Sequence, residues 1–135
     1  MAKSFGAGFS LIGDPPAWAF HIHDVSGGVP SVMGALPTHV IQDHVYRNLL
    51  DFRACYEEGL RRNPTLAGSI STRFAIHPLP FDEHGEVRNA ENVASSITDE
   101  AVVKCVTQVF ARMSFPEPDG DAVTIIYPLV FTPRQ

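Results

Sequence analysis

Apolar and polar positions recur with two different periods along this chain, and the change of period marks its elements. Between Thr38 and Arg62, the residues Ile41, Val45, Leu49, Phe52, Cys55, Tyr56 and Leu60 recur at three- and four-residue spacing. At 100° per residue they span an arc of roughly 140°, the core-facing stripe of an amphipathic helix. The spacing predicts one helix of about 23 residues, with Thr38 as N-cap. Arg61 and Arg62 suit the negative end of its dipole, and Asn63-Pro64 stops it. Gly59 lies in the same arc, where a poor helix former predicts close approach of another element. From Gly68 the period becomes two. Ile70, Thr72, Phe74 and Ile76 face one way and Ser69, Ser71 and Arg73 the other, a half-buried strand. The polar stretch His77–Gly85 predicts a long hairpin connection, and Gly85 opens a weaker strand toward Val93. Thr98-Asp99-Glu100 reads as a capping hydroxyl and two acids opening a second helix. Its stripe is Val102, Val103, Cys105, Val106, Val109, Phe110 and Met113. Phe115 to Asp121 reads as a turn, and Val123, Ile125, Tyr127, Leu129 and Phe131 alternate down a last strand. Pro128 inside that strand predicts an edge position with one free side, because proline cannot donate to a ladder.

The predicted order is helix, strand, strand, helix, strand over residues 38–135. Strands joined by a hairpin favour an α+β domain: a three-stranded antiparallel sheet with two helices on one face. Residues 1–37 differ. They hold six of the ten glycines and four of the eleven prolines, with only Lys3, Asp14 and Asp24 charged. Such punctuation reads as an irregular lead-in. The alternative is an added N-terminal strand, because free linkers seldom carry Trp18, Phe20, Ile22 and Met33. Val29 to Met33 is the favoured candidate.

Composition narrows the function classes. The net charge of −5 argues against a phosphate-tracking nucleic-acid binder. Mean hydropathy is +0.01, and no apolar run approaches eighteen residues, so no membrane insertion is expected. The N-terminal stretch lacks the continuous apolar core of a signal peptide. That is read as the boundary of a piece of a larger exported or membrane-anchored protein.

Candidate chemistry is sparse. Cys55 and Cys105 lie one on each helix, and helices sharing a sheet face would bring them together. A disulfide is the preferred reading, implying an oxidising compartment; the alternative is a pair of small buried hydrophobes. A catalytic thiol is remote, since neither sits in a C-x-x-C motif or at a helix N-terminus. His21 and His23 would share a strand face and could supply two metal ligands, with Asp24 a guess for the third; loop histidines are the default. His39 and His44 diverge on a helix, and His77 and His84 bracket the hairpin. Glu117, Asp119 and Asp121 resemble part of a calcium loop without its closing glutamate. No nucleophile elbow, phosphate loop or zinc-protease motif is present. No catalytic residue, metal or cofactor is assigned.

One ordered string of residues carries a resemblance. It runs Arg53-x-Cys55-Tyr56-x-x-x-Leu60-x-Arg62-Asn63-Pro64-x-Leu66-x-Gly68, then Ile70-x-x-x-Phe74-x-Ile76, Gly85-x-Val87 and Ser95-Ser96. It continues through the stretch around Cys105 and Phe115-Pro116-x-Pro118 to Val123-x-Ile125-x-Tyr127-Pro128-x-x-Phe131. Residues 38–135 in this pattern resemble the AgmX/PglI carboxy-terminal domain family of myxobacteria and related bacteria, which is similar to the TonB carboxy-terminal domain. The resemblance implies a small α+β envelope-side domain of a larger, often membrane-attached protein linked to gliding motility, and no enzyme. It matches Cys55 and Cys105 to the family's two cysteines, and Tyr56, Pro64, Gly68, Phe74, Phe115, Pro116, Tyr127 and Pro128 to its structural signature. Two departures are the longer, acidic His77–Gly85 loop and Met113 where an aromatic is expected.

The expected function is a non-catalytic protein–protein interaction module on the periplasmic or cell-envelope side. TonB-like domains bind extended segments by strand addition. The edge expected to bind an envelope protein, an extended peptide segment or a second copy in a homodimer is the last strand, Val123, Ile125, Tyr127, Leu129 and Phe131. The alternatives are a purely structural, disulfide-closed cap and, more remotely, a metal-binding domain. Similar folds serve different partners, so the process stays open at this level.

Overall fold

A computed structural model describes residues 21, 22, 24–80 and 83–133. The chain forms an α+β architecture in which helices cover one face of an antiparallel sheet. Its elements are β1 (His21–Ile22), β2 (Val25–Gly27), β3 (Ser31–Met33), α1 (Thr38–Arg47), α2 (Leu49–Arg62), β4 (Gly68–Pro78), β5 (His84–Ser95), α3 (Glu100–Arg112), β6 (Ser114–Pro116) and β7 (Val123–Phe131). Among the described residues the sheet has seven strands in the order β1-β2-β7-β4-β5-β6, and β3 also pairs with β7. The three long strands β4, β5 and β7 are those the alternation predicts. The four short ones enlarge the expected three-stranded sheet.

The expected single first helix is two. Asn48 sits between α1 and α2 with φ −108° and ψ 9°, and its side-chain amide donates to the His44 carbonyl at 2.8 Å. That bond competes with the helical ladder, as short polar side chains do. The apolar stripe continues across the break: Ile41, Val45, Leu49, Phe52, Cys55 and Tyr56 are all buried. The caps also differ from expectation. Pro37 precedes α1 without a side-chain cap. Asp99, not Thr98, caps α3, accepting from the N–H groups of Ala101 and Val102 at 3.1 and 3.3 Å. A carboxylate there satisfies two orphan donors and complements the dipole.

Helices and sheet meet over one core. Phe110 packs its ring against Phe52, Phe74 and Tyr127, with centroids 4.7, 5.0 and 5.9 Å apart. Tyr56, inward from α2, packs on Phe131 and donates its hydroxyl to the Leu66 carbonyl. Gly59 lets α2 and α3 approach closely: a Cβ there would lie 2.5 Å from Val102 and 2.6 Å from Leu66. One turn away, Cys55 and Cys105 form a disulfide with Cα atoms 5.7 Å apart. Phe115 and Pro116, expected in a turn, form β6 against His84–Glu86 instead. The hairpin is shorter than expected, because β4 runs on to Pro78 and β5 begins at His84.

Candidate functional site

The residues singled out for binding do not lie at a free edge. Val123, Ile125, Tyr127, Leu129 and Phe131 are at most 1% exposed and form the centre of the core. β7 pairs with β4 over nine positions on one side and with β2 and β3 on the other. The expectation drawn from Pro128 is therefore corrected. Its carbonyl accepts from Gly28 N–H at 2.9 Å, so its nitrogen points the same way, toward the lead-in. Gly28 to Pro30 lies between β2 and β3 there and carries no ladder. The missing donor falls in that gap, and the strand stays interior.

The lead-in thus supplies β7's second neighbour. Val25, Ser26 and Gly27 pair with Phe131, Val130 and Leu129; Ser31, Val32 and Met33 pair with Ile126, Ile125 and Thr124. The expected strand at Val29–Met33 is present as Ser31–Met33, joined by β2 upstream. The pairing follows side-chain size. Val25 is fully buried on the core face and Val32 packs against the core. Gly27 leaves room for the Tyr127 ring, because a Cβ would stand 3.1 Å from its hydroxyl. Gly28 lies against Pro128, where a Cβ would stand 2.9 Å from the ring.

One buried ion pair locks this segment to α2. Asp24 is only 4% exposed, and its Oδ1 faces Arg53 Nε at 3.5 Å. That is a Coulombic contact longer than a direct hydrogen bond, and neither atom has a hydrogen-bond partner. Arg53 also reaches Glu57 at 3.5 Å. Burial and the nearby Asp24 charge both raise the pKa of the Tyr56 hydroxyl, and burial raises that of Tyr127. Sequence reasoning placed Asp24 with a metal and did not single out Arg53 for binding. Their partnership depends on how the lead-in folds back.

The other candidate edge is β5. Among the described residues, Val87 to Ser95 has no strand on its outer side. It is nonetheless poorly suited to accept one. Its register against β4 slips twice, at Val93 and at Asn89–Ala90, where Asn89 has φ 58°. Bulges and charged side chains are how native sheets blunt an edge. Here Glu86 pairs with Arg88 at 2.7 Å and Glu91 with Arg73 at 2.6 Å. An open groove of about 650 Å³ runs between this strand and α3, lined by Asn92, Ser95, Val103, Lys104 and Thr107. Glu100 lies on the same lining, four residues before Lys104, and the Ser95 and Thr107 hydroxyls donate to the Ile97 and Val103 carbonyls.

The remaining candidates separate. His23 and the side chain of His21 lie outside the described residues. Glu117, Asp119 and Asp121 are exposed, and two of them serve through their backbone: Glu117 N–H bonds to Glu83 and Asp119 N–H to Ala35, at 3.1 and 3.2 Å. His44 bonds the Val40 carbonyl through Nδ1 at 2.9 Å and lies against Phe115. Among the described residues no three His, Cys, Asp or Glu side chains gather as metal ligands, and no helix is long and apolar enough to cross a membrane. Comparison with family models, with curated proteins and with solved structures gave no match to this chain.

Proposed function

We propose that this chain is a non-catalytic interaction module of the bacterial cell envelope that holds extended segments by strand addition at the outer edge of β7. The observation that carries the reading is that an extended, glycine-broken stretch of the chain itself is added there in two short antiparallel ladders. Main-chain hydrogen bonds supply affinity in such sites, and pockets for alternate side chains supply specificity. Here those positions are filled by Val25 and Val32. The resemblance to AgmX/PglI carboxy-terminal domains supports an envelope-side module of a larger protein, and the Cys55–Cys105 bond suits an oxidising compartment.

The buried Asp24–Arg53 pair favours a second reading, a structural cap in which the lead-in never leaves. A binding titration separates the two. In the full chain, Gly28→Val weakens lead-in docking by pressing on Pro128. A labelled peptide of residues 21–33 should bind this variant about tenfold more tightly than the parent, an easing of about 1.4 kcal/mol. If neither chain binds it, the cap reading stands.

A further inference from the structure

We propose that the outer edge of β7 is an exchange site between two copies of this chain. The lead-in strands of one copy take the edge of the other, and Arg53 reads the carboxylate of Asp24 that arrives with them. The inference rests on the reading of β7 as a strand-accepting edge, and it names the occupant.

The chemistry of the edge fits one kind of segment. It requires a carboxylate immediately before a branched apolar residue, then space for the Tyr127 ring and the Pro128 ring. Asp24, Val25, Gly27 and Gly28 meet those conditions in order. A second copy presents the same sequence, so it reproduces every contact, including the charge match to Arg53. An empty edge would expose the outward N–H and C=O groups of β7 and leave Arg53 without Asp24. Loss of the cis strands is therefore unfavourable unless an equivalent segment refills the site.

The attachment of the lead-in suits exchange. Its two ladders have three pairs each and are interrupted at Gly28–Pro30, against nine continuous pairs between β7 and β4. It joins the body through residues 34–37, where Leu36 is buried and anchored. Gly34 is the pivot. Its φ of +134° is a conformation glycine adopts without strain, and glycine also reaches the opposite sign freely. Exchange of an identical element between protomers is a low-cost route to a two-fold dimer.

Thiol trapping on the 135-residue chain tests this. Ser26 and Val130 are cross-strand partners on the face away from the core. The Gly28–Pro128 and Thr132–Asp24 bonds place them as a hydrogen-bonded pair. The Cα spacing of such pairs, about 5.5 Å, suits a disulfide. Both native cysteines are already bonded, so introduced thiols are the free ones. The double variant S26C/V130C should close within one chain. Single variants S26C and V130C, mixed at high concentration and then oxidised, should give a covalent dimer containing one chain of each, exceeding either homodimer. In a two-fold exchange Asp24→Asn on either chain weakens the closed chain and the exchanged pair alike, so the final yield should stay unchanged. The rate at which mixing produces the mixed dimer should instead rise about tenfold, because the closed strand opens more readily without the Asp24–Arg53 contact. Cis closure with no mixed dimer overturns the exchange and leaves strand addition standing. A mixed dimer that forms no faster with Asp24→Asn than without it overturns the role of Arg53. Failure of the double variant to close removes the strand-addition reading itself.

Discussion

The two neighbours of β7 are held in different ways. On one side β4 pairs along nine continuous positions, under helices joined by a disulfide and by the ring cluster around Phe110. On the other, the lead-in contributes six pairs in two pieces, one fully buried valine and one ion pair. The first is stabilised by area removed from water and by a covalent constraint on the unfolded chain. The second depends mainly on main-chain hydrogen bonds and one charge match, each contributing little net. One strand therefore has a long continuous ladder on one side and two short, interrupted ones on the other.

The largest effect should come from the body. Cys55 and Cys105 are separated by 50 positions, and closing that loop stabilises by about 4 kcal/mol in the chain-entropy model. Replacing both with serine should lower the denaturant midpoint of the whole molecule; a midpoint unchanged within error would remove the disulfide from the account. Arg53→Met should cost about 2 kcal/mol, because it leaves the Asp24 carboxylate buried while Arg53 itself is partly solvated. Faster amide exchange should be concentrated in residues 25–33 and on the outer side of β7. Pairing it with Asp24→Asn should restore part of the loss, whereas simple additivity would deny the coupling.

The smallest effect is on pH dependence. Desolvation pushes the Asp99 carboxyl up. Hydrogen bonds from Arg62 and from the Val102 N–H, the Arg62 charge and a hydrogen bond from the Ala101 N–H outweigh it, leaving the pKa below the ordinary 3.8. A lowered folded-state value contributes stability that is present above pH 3.8 and is lost as pH falls through the folded value. Asp99→Asn should lower stability slightly at neutral pH and flatten the acid limb, the two proteins converging below the folded-state value. A loss of the same size at neutral pH and below the folded-state value would contradict the assignment.

What could be read from the chain tracks the length of each pattern. The helical stripe, the β4 alternation and the Val123–Phe131 strand were legible because each repeats several times. The break at Asn48 was not, since Val45 and Leu49 keep helical spacing across it. Strands of three residues, β2, β3 and β6, are too short to show a period. Pro128 gave a true local signal, an absent donor, but the gap that absorbs it forms only when Gly28 to Pro30 folds alongside. The weak alternation of β5 has a cause as well: two bulges reset its faces. Asp24 and Arg53 are far apart in sequence, and nothing local in either announces the other.

Amide hydrogen exchange along β7 tests the central claim most directly, because neighbouring residues of one strand report on opposite sides. The N–H groups of Thr124, Ile126 and Val130 face the lead-in, and those of Ile125, Tyr127 and Leu129 face β4. In the folded 135-residue chain, the first set should exchange through a local opening at lower free energy than the second, which should require global unfolding. If both sets exchange with the same free energy, the lead-in is an inseparable part of the body and the account of β7 as a two-sided strand is wrong.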